Sequence, residues 1–318
     1  MLRSHSFFIV IKVSVIIPAY NPGSDELGAT LAALRAQSLA IDEWELVIID
    51  NRSSIPVPVS AVSWHPNGTV FREETPGLVA ARLAGFARTT GPIVVVVDQD
   101  NILAPDFLTE AMRIGRDFPW LGTWGAGTIV PRFERPDLAP PSSLHSLLTL
   151  RSAAADLWSN DIDHHESTPW GAGLCVRRSV IERYAESVAR NPAKRSLDLK
   201  GDQRLSGGDT DIAYTACHMG LGKGVFRSLR LEHMIPAERC SAKFLCKTGE
   251  GRGYSGVLHH FVLHGTLPPD DRGLFATLRR VWRLRNLSSL ERQVVQATEA
   301  GRRRAHRELA PRSNLARK

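Results

Sequence analysis

An acidic pair, one further aspartate and one lone histidine are the groups in this chain best able to do chemistry. Asp98-Gln99-Asp100 follows residues 93–97, five β-branched residues with no polar face. Two carboxylates at the end of so apolar a run are costly to leave without a cation nearby. Hard oxygen donors of this kind suit Mg²⁺ or Mn²⁺, which take one or two carboxylates and complete their shell with substrate phosphates. The same two residues would equally cap a turn before Asn101. Asp209, after Ser206-Gly207-Gly208, stands at the start of a predicted helix. There it is either an ordinary N-cap or a general base kept ionised by the helix N-terminus. His233 follows an expected strand over residues 225–231, and a lone histidine is more often a core residue than a ligand. Trp170, ahead of Gly171-Ala172-Gly173, offers a sugar-stacking face or a core aromatic. Asp161, Asp163, His164, His165 and Glu166 crowd one loop and read as solvated surface.

Such groups need elements to hold them. Short apolar runs alternate with amphipathic stretches through the first half, the pattern of βαβ units around a mainly parallel sheet. Residues 13–17 form a strand stopped by Pro18, and 46–49 a second that ends in Asp50-Asn51. Leu27, Leu31 and Leu34 recur at helical spacing behind Ser24 and Asp25 as cap candidates. Helices are predicted over 78–87, opened by Pro76-Gly77, and over about 106–116. Pro131, Pro136, Pro140 and Pro141 mark a long loop between the two halves. Residues 174–176 read as a strand, 190–208 as a mobile polar loop, and 209–219 as a helix stopped by Gly220. In open α/β sheets, ligands bind beyond the carboxyl ends of the strands. Three such ends are polar here: Pro18-Ala19-Tyr20-Asn21, Asp50-Asn51 and Asp98-Gln99-Asp100. Neither G-x-G-x-x-G nor a P-loop follows the first strand, which argues against a nicotinamide enzyme or a P-loop protein.

Composition narrows the setting. The chain has 318 residues, 43% hydrophobic and 23% charged, enough for one large α/β domain or two small ones. Residues 273–318 carry 12 Lys and Arg against Glu291, Glu299 and Glu308, so +9 of charge lies there and −2 on the rest of a chain whose total is +7. A nearly neutral body with a basic tail disfavours nucleic acid and fits one local anionic partner. No apolar stretch approaches the roughly 18 residues a spanning helix needs. Residues 7–17 imitate a signal peptide, but Lys12 and Ser14 break the run, which reads as a first strand with a ragged extension. Cys175, Cys217, Cys240 and Cys246 show no C-x-x-C spacing and read as buried, reduced thiols of a cytoplasmic protein. In the tail, Leu274, Leu278, Val281 and Trp282 share a helical face opposite Arg279, Arg280 and Arg283. A second tail helix is predicted from Ser288, with Glu291 completing a capping box. Such a tail packs on the body with its charges in water, or makes peripheral contact with an anionic membrane at its inner face.

Taken together, these residues resemble glycosyltransferase family 2 over roughly residues 13–260. Val13-Ser14-Val15-Ile16-Ile17-Pro18-Ala19-Tyr20-Asn21 is similar to the family's opening strand and donor-binding turn, and Glu45-Leu46-Val47-Ile48-Ile49-Asp50-Asn51 to the second, whose Asp meets the nucleotide base. Gly77 with Ala81-Arg82 resembles the helix flanking the donor phosphates. Asp98-Gln99-Asp100 resembles the family's D-x-D, whose first Asp meets the ribose and last Asp the metal. Trp170-Gly171-Ala172-Gly173 with Arg177-Arg178 resembles the acceptor-side segment, Asp209 the base, and His233 through Arg239 the stretch whose His can ligate the metal. Two positions depart from the family: Gly208 stands where a first acid is usual, and Leu83 where an Asn is usual.

The resemblance implies a GT-A fold: α/β, a Rossmann-like, mostly parallel sheet flanked by helices, here with a basic helical C-terminal extension. It divides the chain into a donor half at 1–130, an acceptor and catalytic-base half at 131–265, and a tail at 266–318. The activity implied is metal-dependent, inverting transfer of a hexosyl-type sugar from a nucleotide-diphosphate sugar to an acceptor hydroxyl in polysaccharide or glycolipid synthesis. The donor would meet Pro18, Ala19, Tyr20, Asn21, Asp50, Arg82, Asp98 and Gln99, and Mn²⁺ or Mg²⁺ would meet Asp100, Asp98 and His233. A saccharide or lipid-linked acceptor would meet Trp170, Gly171 and Ala172, with Asp209 as base. Residues 190–208 would cover the donor as a lid, with Lys194, Arg195 and Arg204 toward phosphate. The competing readings are a non-catalytic sugar-binding or scaffold protein on the same fold and a sugar-phosphate nucleotidyltransferase. The latter needs a glycine-rich loop for which Asn21-Pro22-Gly23 is a poor substitute.

Overall fold

β1 (Val13–Ala19), β2 (Trp44–Asp50), β3 (Gly68–Arg72) and β4 (Ile93–Val96) pair in parallel in the order β3-β2-β1-β4. Every residue of β1 and β4 is buried, as expected of strands covered on both faces. α1 (Ser24–Arg35), α2 (Leu78–Phe86) and α3 (Phe107–Asp117) supply the cover. α2 packs on β1 and β2, and α3 on β4. The structure is a computed structural model and describes residues 11–197, 205–269 and 284–315.

Beyond β4 the sheet changes character. β5 (Asn101–Leu103), β6 (Leu121–Phe133), β9 (Leu174–Arg177) and β10 (Gly222–Ile235) extend it in the order β4-β9-β6-β10-β5. The short strands β7 (Arg151–Ser152) and β8 (Leu157–Ser159) pair with β6 and β10. β9 runs antiparallel to β4 and β6, and β10 to β5 and β8. The mixed α/β class and flanking helices are therefore present, with parallel pairing held by β1 to β4 and antiparallel pairing from β9 onward.

Contacts divide the chain into two units: residues 1–132, 151–187 and 209–234 in the first, and 133–150, 188–208 and 235–318 in the second. The first holds most of the sheet, with α4 (Arg178–Arg190) and α5 (Gly208–His218) largely within it. The second is built on α6 (Ala242–His264) and α7 (Ser289–Leu315), packed together. A Cβ on Gly253 would strike the Thr298 carbonyl, and one on Gly301 the Glu250 carbonyl, so the two helices touch backbone to backbone. Leu197, Leu205, Val257, Leu258, Ala305 and Leu309 form the core of this unit.

Several sequence expectations need correction. Ser24 and Asp25 do not cap α1; Gly23 is its N-cap, and no side chain bonds there. Pro131 lies inside β6 rather than in a linker, near its solvent-facing end. His233 lies within β10, not after it. Of the four thiols, Cys175 and Cys240 are buried but Cys217 and Cys246 only half so, and all are free. The predicted capping box is present: Ser288 N–H donates to Glu291 Oε2 at 2.7 Å, and Glu291 N–H to Ser288 Oγ at 3.3 Å. α7 buries Val294, Ala305 and Leu309 and leaves Arg302, Arg303 and Arg307 exposed. The tail face from Leu274 to Arg283 and the lid residue Arg204 lie outside the described residues. No described helix is long and apolar enough to cross a membrane.

One buried histidine makes the fold sensitive to acid. His65 is 4% exposed, its ring 4.1 Å from that of Trp44, and its Nδ1 accepts the Asn67 N–H at 3.1 Å. Protonation would place a second N–H against that donor, and burial already lowers the pKa to about 4. The folded chain thus binds this proton less tightly than the unfolded chain. The stability that follows is fully present above the ordinary value near 6.5 and is lost as pH falls toward 4. We expect urea titrations between pH 7 and 4 to show a loss of roughly 3 kcal/mol that disappears in His65→Gln. An equal loss in the variant would refute the assignment.

Candidate active site

The carboxyl ends of β1, β2 and β4 converge, and their loops are tied by side chain to main chain. Tyr20 N–H donates to Gln99 Oε1 at 2.8 Å, and Thr30 Oγ1 donates to the Gln99 carbonyl at 2.9 Å. Asn21, at φ 44°, accepts the N–H and the hydroxyl of Ser54 on Oδ1, both at 2.8 Å. Pro18 and Ala19 are buried in the last residues of β1, and the Ala19 carbonyl accepts the Asn51 N–H at 2.7 Å. The Tyr20 ring stands 58% exposed above this turn.

Asp50 is 1% exposed, and its carboxylate is engaged by its own loop. It accepts the N–H groups of Ser53 at 2.8 Å and Val57 at 3.3 Å and pairs with Arg72 at 3.0 Å. Asn51 does different work: it donates to the Thr75 carbonyl at 2.7 Å and accepts the Gly77 N–H at 2.8 Å. Gly77, at φ 122°, occupies backbone space that other residues avoid and leads directly into α2. That entry starts the helix that carries Arg82, 3% exposed, whose charge reaches Asp98 and whose Nη2 lies beside Gly171.

Here the acidic pair, the histidine, the arginine and the predicted base come together. The Asp98 carboxyl is pushed up from its ordinary value, first by burial and then by Asp100, with Asp209 adding to the effect and Arg82 and His233 opposing it. Asp100 is 4% exposed; its Oδ2 lies 3.3 Å from His233 Nε2, and its Oδ1 accepts Asn101 Nδ2 at 3.3 Å. The β5–β10 register, which sets His233 opposite Asn101, makes that meeting possible. No spacing in the sequence announces it.

The acceptor-side segment meets Asp209 through its backbone. Gly171 N–H donates to Asp209 Oδ2 at 2.8 Å, while Oδ1 accepts the Thr210 N–H at 2.8 Å. A Cβ on Gly171 would come within 2.6 Å of Arg82 Nη2, so a larger residue there would push the arginine away from its place beside the base. Ala172 is buried, and one face of the Trp170 ring is covered by the Arg151 guanidinium at 3.7 Å, so the indole is not an open platform on that side. Sequence reasoning missed Arg151, which lies beyond the prolines of 131–141 in a stretch that carries no motif. The exposed Asp161, Asp163, His165 and Glu166 remain a surface loop.

Among the described residues, no group of three or more His, Cys, Asp and Glu side chains could hold a metal ion. The Asp100–His233 pair nevertheless fits Mg²⁺ or Mn²⁺ chemically. A carboxylate and an imidazole supply part of a shell whose other positions suit phosphate oxygens and water.

Comparison with known proteins gives matches over part of the chain. Over 104 residues the chain is 31% identical to an N-acetylglucosaminyltransferase of Mesorhizobium japonicum, covering 31% of this chain and 24% of that protein. Over 106 residues it is 28% identical to the uncharacterized glycosyltransferase YwdF of Bacillus subtilis, covering 32% and 38%. The chain thus spans well under half the length of these curated relatives. The crystal structure of S. aureus TarS aligns with a TM-score of 0.46 at 17% identity, covering 75% of this chain and 39% of that one. Residues 14–117, the stretch from β1 through α3 and about a third of the chain, match the model of Glycosyl transferase family 2, the family that the sequence resembles.

Proposed function

We propose that this chain is a GT-A glycosyltransferase that moves a hexosyl-type sugar from a nucleotide-diphosphate sugar to an acceptor hydroxyl with inversion, in polysaccharide or glycolipid synthesis. One observation carries the reading: Asp98, Asp100, His233, Arg82 and Asp209 share one electrostatic environment beyond the carboxyl ends of the parallel strands. The donor's nucleoside would lie along the Tyr20–Gln99 seam, with Asp98 toward its ribose and Arg82 toward its phosphates. Asp50, being engaged by its loop, would shape the base site through the backbone of residues 51–57. Asp100 and His233 would hold Mn²⁺ or Mg²⁺, which when bound would neutralise charge on the diphosphate. Asp209 would take the proton of the acceptor hydroxyl as that oxygen attacks the anomeric carbon from the face opposite the leaving diphosphate. A saccharide or lipid-linked acceptor would approach over Trp170, and the exposed arginines of α7 would favour an anionic surface at the cytoplasmic side of a membrane.

The test is a panel of nucleotide-sugars offered with and without Mn²⁺, read by calorimetry and by NMR of the product. The reading requires cation-assisted binding of at least one donor and a product whose anomeric configuration is inverted. Absence of any such binding, or a retained configuration, would overturn it.

A further inference from the structure

We propose that Arg151 is the positioning residue for the base: it clamps the turn at residues 168–170 so that Gly171 N–H meets the Asp209 carboxylate. This rests on the reading of Asp209 as base.

The contacts form an unbroken series. Arg151 is launched from the sheet, its backbone paired with Ile129 of β6. Nη1 and Nη2 both donate to the Thr168 carbonyl at 3.1 Å, and the guanidinium plane stacks on Trp170 at 3.7 Å. The next residue, Gly171, donates to Asp209 Oδ2 at 2.8 Å. Arg82 lies against the same glycine, its Nη2 2.6 Å from where a Cβ would stand. Burial pushes the Arg151 pKa down to about 10, with Asp209 opposing, so the side chain stays charged near neutral pH. Two donors fixed on one carbonyl and a planar face on an indole are properties of guanidinium that an ammonium group does not share.

The test compares Arg151→Gln, Arg151→Lys and Asp209→Asn in the full chain. We expect both Arg151 variants to lose kcat by roughly 10²-fold, the cost of a base misplaced by about 1 Å, with donor affinity by calorimetry unchanged. The Trp170 contribution to fluorescence, taken as the difference from Trp170→Phe, should move to longer wavelength in both variants without any substrate. Parental kcat in Arg151→Gln would overturn the inference, as would a parallel loss of donor affinity. Full rescue by Arg151→Lys would reduce the role to charge and overturn the clamp. An inactive Asp209→Asn beside a fully active Arg151→Gln defeats this inference alone, whereas an active Asp209→Asn removes the base reading and this inference with it.

Discussion

Asp209→Asn should lower kcat by roughly 10²–10⁴-fold, the usual worth of a placed general base, while donor affinity stays within about threefold. The substitution isolates the proton-accepting role because it preserves shape. An Asn oxygen can still accept the Gly171 N–H at the position now held by Asp209 Oδ2, and the bond given up is the one from the Thr210 N–H to Oδ1 in the first turn of α5. What the amide cannot do is accept the acceptor's proton. Donor binding should persist because Asp100, His233 and Arg82 remain in place, and Asp209 is the weakest of the influences on Asp98. Initial rates at saturating acceptor, with donor calorimetry alongside, check the claim. Turnover within tenfold of the parent would remove Asp209 from the role.

What could be read in the sequence follows from how local each signal is. β1 and β4 announce themselves because strands buried on both faces need continuous apolar runs, and their polar ends mark the site by position alone. The Ser288–Glu291 capping box is likewise a three-residue matter. β6 was hidden by the residues that make it work. A Cβ at Gly127 would strike the backbone of Phe226, and one at Gly122 the side chain of Ala216, so this strand trades strand-forming residues for close approach. α6 is obscured in the same way: Gly249, Gly251, Gly253 and Gly256 weaken its helical signal, while Gly249 and Gly253 admit α7. The roles of Arg151 and the Asp100–His233 pair depend on register between distant strands, Ile129 with Arg151 and Asn101 with His233. No spacing rule reaches across such distances, so the site's acids were legible one by one, and their partners were not.

The acidic pair yields the second large effect, and the two carboxylates should fail differently. Asp100 pairs with His233 at 3.3 Å and is bonded by Asn101, an arrangement that fixes its oxygens for an ion. Asp100→Asn retains volume and both neighbours but removes a charge, so the gain in donor affinity produced by Mn²⁺ should shrink by roughly 10²-fold, about 3 kcal/mol, with turnover falling at least as far. Donor binding measured without the cation should scarcely change. Asp98 sits beside Gln99, which is bonded to Tyr20, and its charge is opposed by burial and by Asp100. If its role is toward the ribose, Asp98→Asn should weaken donor binding by a similar factor with and without Mn²⁺, leaving the cation's increment intact. Calorimetry of both variants under both conditions separates the roles: a cation increment unchanged in Asp100→Asn, or abolished only in Asp98→Asn, would reverse the assignment within the pair.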